Sequence, residues 1–267
     1  MAIDFVIDYE CVPKHQYGTQ GIVDRLKARA RAHEVIRLFR ENGDQRPPSE
    51  MGFEFTRTAA NGEEETRVIV VQEMLDQADQ LNPFASFCRV CPANASGQPY
   101  GCVGTIQYPI SSVAEAWLLE RLPSIETPLI WLLLRQGVQE MGYDGASATS
   151  IRSNNAIFEE QRLRGRDLVE FIFNANQVFE MLFLLGDIQP VQAAMLLLFF
   201  NAVPRDFEAD QLVRIMNREI TAEEIDRDFP FTLQHEADDD KTISQFKEFF
   251  AAVHLAWKLG KPIHLDV

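Results

Sequence analysis

Long apolar runs, a basic leading segment and the common nucleotide and hydrolase fingerprints are all missing from this chain. Wholly apolar stretches stay short: AAMLLLFF (193–200) is parted from MLFLL (181–185) by GDIQP. A membrane-spanning helix needs roughly 20 consecutive apolar residues, so no span is expected. The opening MAIDFVIDYE has no basic start followed by an apolar run, which argues against a secretory signal and for a cytoplasmic protein with reduced thiols. G-x-G-x-x-G, G-x-x-x-x-G-K-[ST] and G-x-S-x-G do not occur, so dinucleotide, P-loop and nucleophile-elbow chemistry is unsupported. None of the histidines (15, 33, 235, 254, 264) stands in HExxH, HxxxH or ExxH spacing, which excludes the helical zinc-protease and usual di-iron patterns.

Cations are also scarce. Against 25 Lys+Arg stand 40 Asp+Glu, a formal net charge of −15. Such a surface repels phosphate backbones and anionic lipid, so neither nucleic acid nor membrane is an expected partner. Residues 205–240 concentrate the excess, with 12 acids and 4 arginines. The basic stretch RLKARAR (25–31) reads as a solvated helix face, or as a contact for an acidic partner or for the acidic region of another copy.

Periodicity supplies the elements. Ile3, Phe5, Ile7, Tyr9 and Cys11 alternate with acids, a period-2 strand that would put Cys11 on its apolar face. Pro13 and YGTQG (17–21) then predict a break. Ala28, Ala32, Val35, Ile36 and Phe39 form a helical stripe within 21–41. MGFEFTRT and ETRVIVVQ around AANGEE, with its Asn61-Gly62 pair, predict a hairpin. A short helix over 72–81, a cysteine loop over 84–102 and a strand over 103–110 follow. Beyond 111 the pattern is helical: a capping box at Ser112 and Glu115, and Pro128 and Gly142 bounding another helix. Residues 143–155 read as a linker. A helix over 167–186 would expose Asp167, Glu170, Asn174 and Gln177, with Glu180 nearby. Helices are expected near 191–203, 208–219, 221–227 and 241–259, and KPIHLDV as a strand or ordered tail. The fold class is α+β and predominantly helical, with a strand-containing layer and cysteine loop over 1–110 and a helical layer over 111–267, the two forming one domain or two.

The most specific chemical signal is the spacing of cysteine. Three of the four lie within fifteen positions, as CRVC (88–91) and YGCVG (100–104). Two thiolates separated by two residues chelate one ion from a tight loop, and a third closes most of a tetrahedron. Cys88, Cys91 and Cys102 are therefore the candidate metal ligands, with Cys11 as the fourth and His15 as its alternative. Gly101 and Gly104 flank Cys102, where they would let backbone amides approach a thiolate. Zinc is the expected ion, in a structural site on a protein that associates with itself or with another protein. An iron–sulfur or catalytic metal centre on Cys88, Cys91 and Cys102 is the alternative. A CxxC redox pair needs a strand before it and a helix after it, and neither is legible there. His254, among Phe250, Ala251 and Trp257, reads as a satisfied core or boundary histidine rather than a ligand, and EADDDK (236–241) as a solvated helix start rather than a Ca²⁺ loop.

Overall fold

Helix dominates the computed structural model, which describes residues 2–58, 64–154, 156–184 and 186–266, and the strands form small antiparallel sheets in an α+β arrangement. In chain order the elements are β1 (Ala2–Ile7), α1 (Val12–Glu41), β2 (Gly52–Thr58), β3 (Glu64–Val70), α2 (Val71–Asp79), β4 (Val103–Gln107), α3 (Ser112–Arg121), α4 (Pro128–Met141), α5 (Ala146–Arg152), β5 (Gly165–Asp167), β6 (Ile172–Asn174), α6 (Ala175–Phe183), β7 (Asp187–Ile188), α7 (Pro190–Phe199), α8 (Ala209–Met216), α9 (Ala222–Asp228), α10 (Lys241–Leu259) and β8 (Ile263–Asp266). A 3₁₀ segment covers Asn82–Val90. No helix among the described residues is long and apolar enough to cross a membrane.

The chain divides into two compact units. The first comprises Met1–Tyr9, Pro92–Gly97 and Gly101–Val267, the second Glu10–Cys91 and Gln98–Tyr100.

In the first unit a four-stranded antiparallel sheet runs in the order β4-β1-β8-β7. The closing strand does return to the opening one, with Asp4 opposite Asp266 and Ile7 opposite Ile263. β1 is therefore flanked on both sides, and Ile3 through Ile7 are all buried rather than alternating. Asp4 is tolerated inside because Thr105 Oγ1 donates to its carboxylate at 2.6 Å. Gly104, opposite Phe5, has a packing reason: a Cβ there would lie 2.1 Å from the Phe5 ring. That ring packs edge-on against Phe249 of α10, centroids 5.2 Å apart. α10 forms the middle of this core. Phe246, Phe249 and Phe250 are fully buried, and Phe183 of α6 and Phe200 after α7 meet them at 5.3–6.0 Å.

Helix ends follow their chemistry, with three corrections. α4 has Pro128 in its first turn and Gly142 in the left-handed conformation (φ 66°) as its stop. The N-cap of α3 is Ser111, one residue before the expected box. The single helix expected over 167–186 is instead a β5–β6 hairpin followed by α6. Asn174 and Gln177 do not form an exposed stripe; they are the reciprocal capping box that starts α6. The expected linker at 143–155 contains α5.

The second unit is built on α1, which begins at Val12 with Pro13 in its first turn, rather than at 21. The break expected at YGTQG is present: at Gly18 (φ 70°, ψ 168°) the backbone leaves the helical conformation and kinks α1. Ala28 and Ala32 of α1 pack with Met51, Val71 and Met74, and Val35, Ile36, Phe39, Phe53 and Ile69 extend this small core. β2 and β3 pair in register from Gly52–Val70 to Thr58–Glu64. The Asn61-Gly62 turn lies outside the described residues.

Candidate anion site

The predicted metal centre is not assembled. Among the described residues no group of three or more His, Cys, Asp and Glu side chains is placed to hold a metal ion, which overturns the zinc expectation and the iron–sulfur or catalytic-metal alternative alike. The reasons are local. β1 stops at Ile7, so Cys11 is not a strand residue but the extended N-cap of α1, and His15 stands exposed in the first turn of that helix. Cys88 sits on the inner side of the 3₁₀ segment and is buried. Burial pushes its thiol pKa up, against a hydrogen bond from the Tyr100 backbone, so the metal-binding thiolate is disfavoured. Cys91 ends the same segment, half-buried. Cys102 belongs to the other unit and is buried beside β4, where its carbonyl accepts from Ile7 N at 3.0 Å. No disulfide joins any of the four.

Polar side chains inside the first unit are instead spent on structure. Glu180 is buried in α6, and its carboxylate accepts from the backbone amides of Gly145 and Ser147 at 2.7 Å and of Ala148 at 3.3 Å. It thus satisfies the open N–H groups at the start of α5. Arg152, at the far end of α5, forms a buried ion pair with Glu115 of α3 and donates to Asn176 Oδ1 and, at 3.1 Å, to the carbonyl of Glu160. The cavity beside Glu115, walled by Leu118, Phe158, Phe179, Phe183 and Phe246, measures about 10 Å³, room for about one water and no ligand. His254 is a half-buried histidine at the edge of the core: Nε2 lies 2.9 Å from the Phe229 carbonyl, and burial lowers its pKa. In the EADDDK loop, Asp240 caps α10 through Ile243 N (2.7 Å), while Asp239 pairs with Lys247 at 2.6 Å.

Three arginines stand apart from this pattern of paired charges. Arg166, on β5, donates from Nη1 to the carbonyls of Leu119, Glu120 and Leu122 at 2.9, 2.8 and 2.7 Å, the open C-terminus of α3. Arg205, in the loop after α7, donates to Leu198 and Phe199 at the end of α7 and to Arg121, each at 2.6 Å. Arg121, the last residue of α3, lies 4.1 Å over the Trp117 ring. Its Nε is shut off from solvent and has no acceptor. Every hydrogen bond of this cluster goes to a neutral carbonyl, and among the described residues none of the three arginines pairs with a carboxylate.

The electrostatics follow from that geometry. Burial first, then the charges of Arg166 and Arg121, push the Arg205 pKa down to about 10. Burial also lowers that of Arg121, while Glu236, Asp239 and Glu120 pull the other way. Asp239 is already neutralised by Lys247. The two helix C-termini supply roughly half a negative charge each, and Glu236 and Glu120 act on Arg121 through space without a bonded contact. This happens in the unit that holds 27 of the 40 acids and only 14 of the 25 Lys and Arg.

No sequence motif marks these residues. Arg121 is legible as a basic residue at a helix end, but its convergence with Arg166 and Arg205 is a product of tertiary packing. No protein-family model matches the chain, and no curated protein or solved structure matches it.

Proposed function

We propose that this protein binds a small oxyanion, a phosphate group or a carboxylate of similar charge, at the cluster of Arg121, Arg166 and Arg205. The observation that carries the reading is three neighbouring guanidiniums without a bonded carboxylate, one of them with a buried N–H that lacks an acceptor. Guanidinium forks match the geometry of phosphate and carboxylate oxygens, and such charge-assisted bonds are about twice as strong as neutral ones. Capping of α3 and α7 accounts for one edge of Arg166 and Arg205. It does not account for Arg121, which bonds no carbonyl. The acidic surface around the cluster favours a small ligand over a polyanion, because a nucleic-acid backbone would meet the net charge before the site.

Calorimetric titration at fixed ionic strength tests this, with inorganic phosphate, phenyl phosphate and succinate as probes and sodium chloride as the control. The expected result is a saturable heat with one site per chain, weakened about tenfold or more in Arg121→Gln and partly retained in Arg121→Lys, which keeps the charge but loses the fork. Arg121 is the clean position because its loss uncaps no helix. Heats no larger than those of chloride, or titrations indifferent to Arg121→Gln, would refute the reading. Comparison of the phosphate and succinate arms assigns the ligand chemistry.

A further inference from the structure

Two exposed faces of opposite charge point to self-association. The 3₁₀ segment Asn82–Val90 has a three-residue period, which eclipses side chains at i, i+3 and i+6. Phe84, Phe87 and Val90 therefore share one column, while Cys88 turns inward. The column is open, with Phe87 47% and Val90 85% exposed. It continues through a ring contact between Phe84 and Phe87 (6.4 Å) to Tyr17, 5.6 Å from Phe84. Cations border it. Arg25 lies 4.0 Å over Tyr17 and donates to Gln80, Arg29 donates to Asn82 and the Ala78 carbonyl, and Arg89 projects from the segment itself. Among the described residues these three arginines have no carboxylate partner; the nearby Asp79 accepts from Asn82.

The complementary face is on α8. Leu212 and Ile215 are buried, which turns Val213 (58% exposed) and Met216 (51%) to solvent. Asp210, three residues before Val213, begins that same stripe, and Asp206 lies four residues before it; both are exposed and without an ion pair among the described residues, while the one exposed cation near the stripe, Arg218, lies beyond its far end. An apolar column with a basic border fits an apolar stripe with an acidic one. It does not fit itself, because a two-fold contact of the column would set Arg25 and Arg89 against their own copies.

We infer that the Phe84–Phe87–Val90 column is a docking surface for α8 of a second copy of this chain. The contact joins unlike faces, so it is head-to-tail. The test is light scattering on gel-filtered full-length protein over micromolar to millimolar concentration, at low and high salt. Concentration-dependent association that weakens with salt is expected. Arg25→Glu with Arg89→Glu in one variant, and Asp206→Lys with Asp210→Lys in another, should each lose association at least about tenfold, and mixing the two should restore a complex between them. Arg89, Asp206 and Asp210 are exposed and Arg25 is half-buried, so unchanged far-ultraviolet circular dichroism and an unchanged melting temperature will verify folding, and Arg89→Glu alone should weaken association in the same direction. Phe87→Asp and Val213→Asp should have the same effect without altering the border charges. A wild type that stays monomeric throughout, a mixture that stays monomeric, or association that survives Phe87→Asp would each overturn the inference.

Discussion

Replacing Arg152 with Met removes a buried cation of similar length and leaves Glu115 behind, 4% exposed, in a wall of phenylalanines. The arginine makes three kinds of contact: the ion pair with Glu115, hydrogen bonds to Asn176 and the Glu160 carbonyl, and a stack 4.0 Å over Phe158. Methionine keeps part of the packing and none of the polar contacts. Breaking a buried pair from one side costs about 3–5 kcal/mol because the remaining charge is uncompensated. For a unit of this size that lowers the melting temperature by about 10 °C. The loss depends on pH in a defined direction. Burial raises the Glu115 pKa above its usual value of 4.5, and the hydrogen bond and charge of Arg152 hold it down. A carboxyl with a raised folded-state pKa contributes stability that is present below its unfolded value and is lost as pH rises through the folded one. Removing Arg152 removes both lowering influences, so in the variant this window extends upward, towards neutral pH. Thermal unfolding followed by circular dichroism should therefore show a deficit that is largest towards neutral and higher pH and shrinks as the pH falls and Glu115 takes up its proton, leaving about 2 kcal/mol for the missing neutral hydrogen bonds. Glu115→Gln added to Arg152→Met should recover stability at neutral pH by removing the stranded charge. A deficit below about 1 kcal/mol, or one independent of pH, would refute this account of the network.

Three further outcomes are expected. Gly104→Ala forces a methyl to within 2.1 Å of the Phe5 ring and on towards Phe249, so urea unfolding should show a loss of about 1–3 kcal/mol or more, recovered in part by Phe5→Leu. Glu180→Gln removes the charge that holds three amides of the 145–148 turn; about 2–4 kcal/mol should be lost, and amide exchange should accelerate in α5. Excess chelator should leave the melting temperature of reduced protein unchanged, and Cys91→Ser should cost under about 0.5 kcal/mol, as for a half-exposed residue without a ligand role.

Much of the helical layer is legible from local chemistry. Pro128, Gly142 and Asp240 act at the ends of α4 and α10 where the chain places them, and the half-buried His254 follows from its aromatic neighbours. The failures share a cause. Asn174, Gln177 and Glu180 have helical spacing, yet two are a cap and the third reaches back to Gly145, partners more than thirty residues away in Glu180's case. Alternation in MAIDFVIDYEC continues past Ile7, but pairing with β4 and β8 decides where β1 stops and which faces are buried. The cysteine spacing is real, but Cys88 faces inward in a 3₁₀ segment and Cys102 belongs to the other unit, an arrangement that spacing alone does not encode. The arginine cluster draws on a helix end, a two-stranded hairpin and a loop, which only tertiary structure brings together.

The proposal of an oxyanion site is tested most directly by nitrogen-15 correlation spectra of the arginine Nε–H groups during a phosphate titration at constant ionic strength. The Arg121 Nε–H is shielded from solvent and should be observable. The account predicts saturable shifts of the Arg121, Arg166 and Arg205 signals with one shared dissociation constant, while exposed Arg37, already paired with Glu34 and Glu41, stays fixed. Shifts of the cluster no larger than those of Arg37, or equal shifts with chloride, would contradict it.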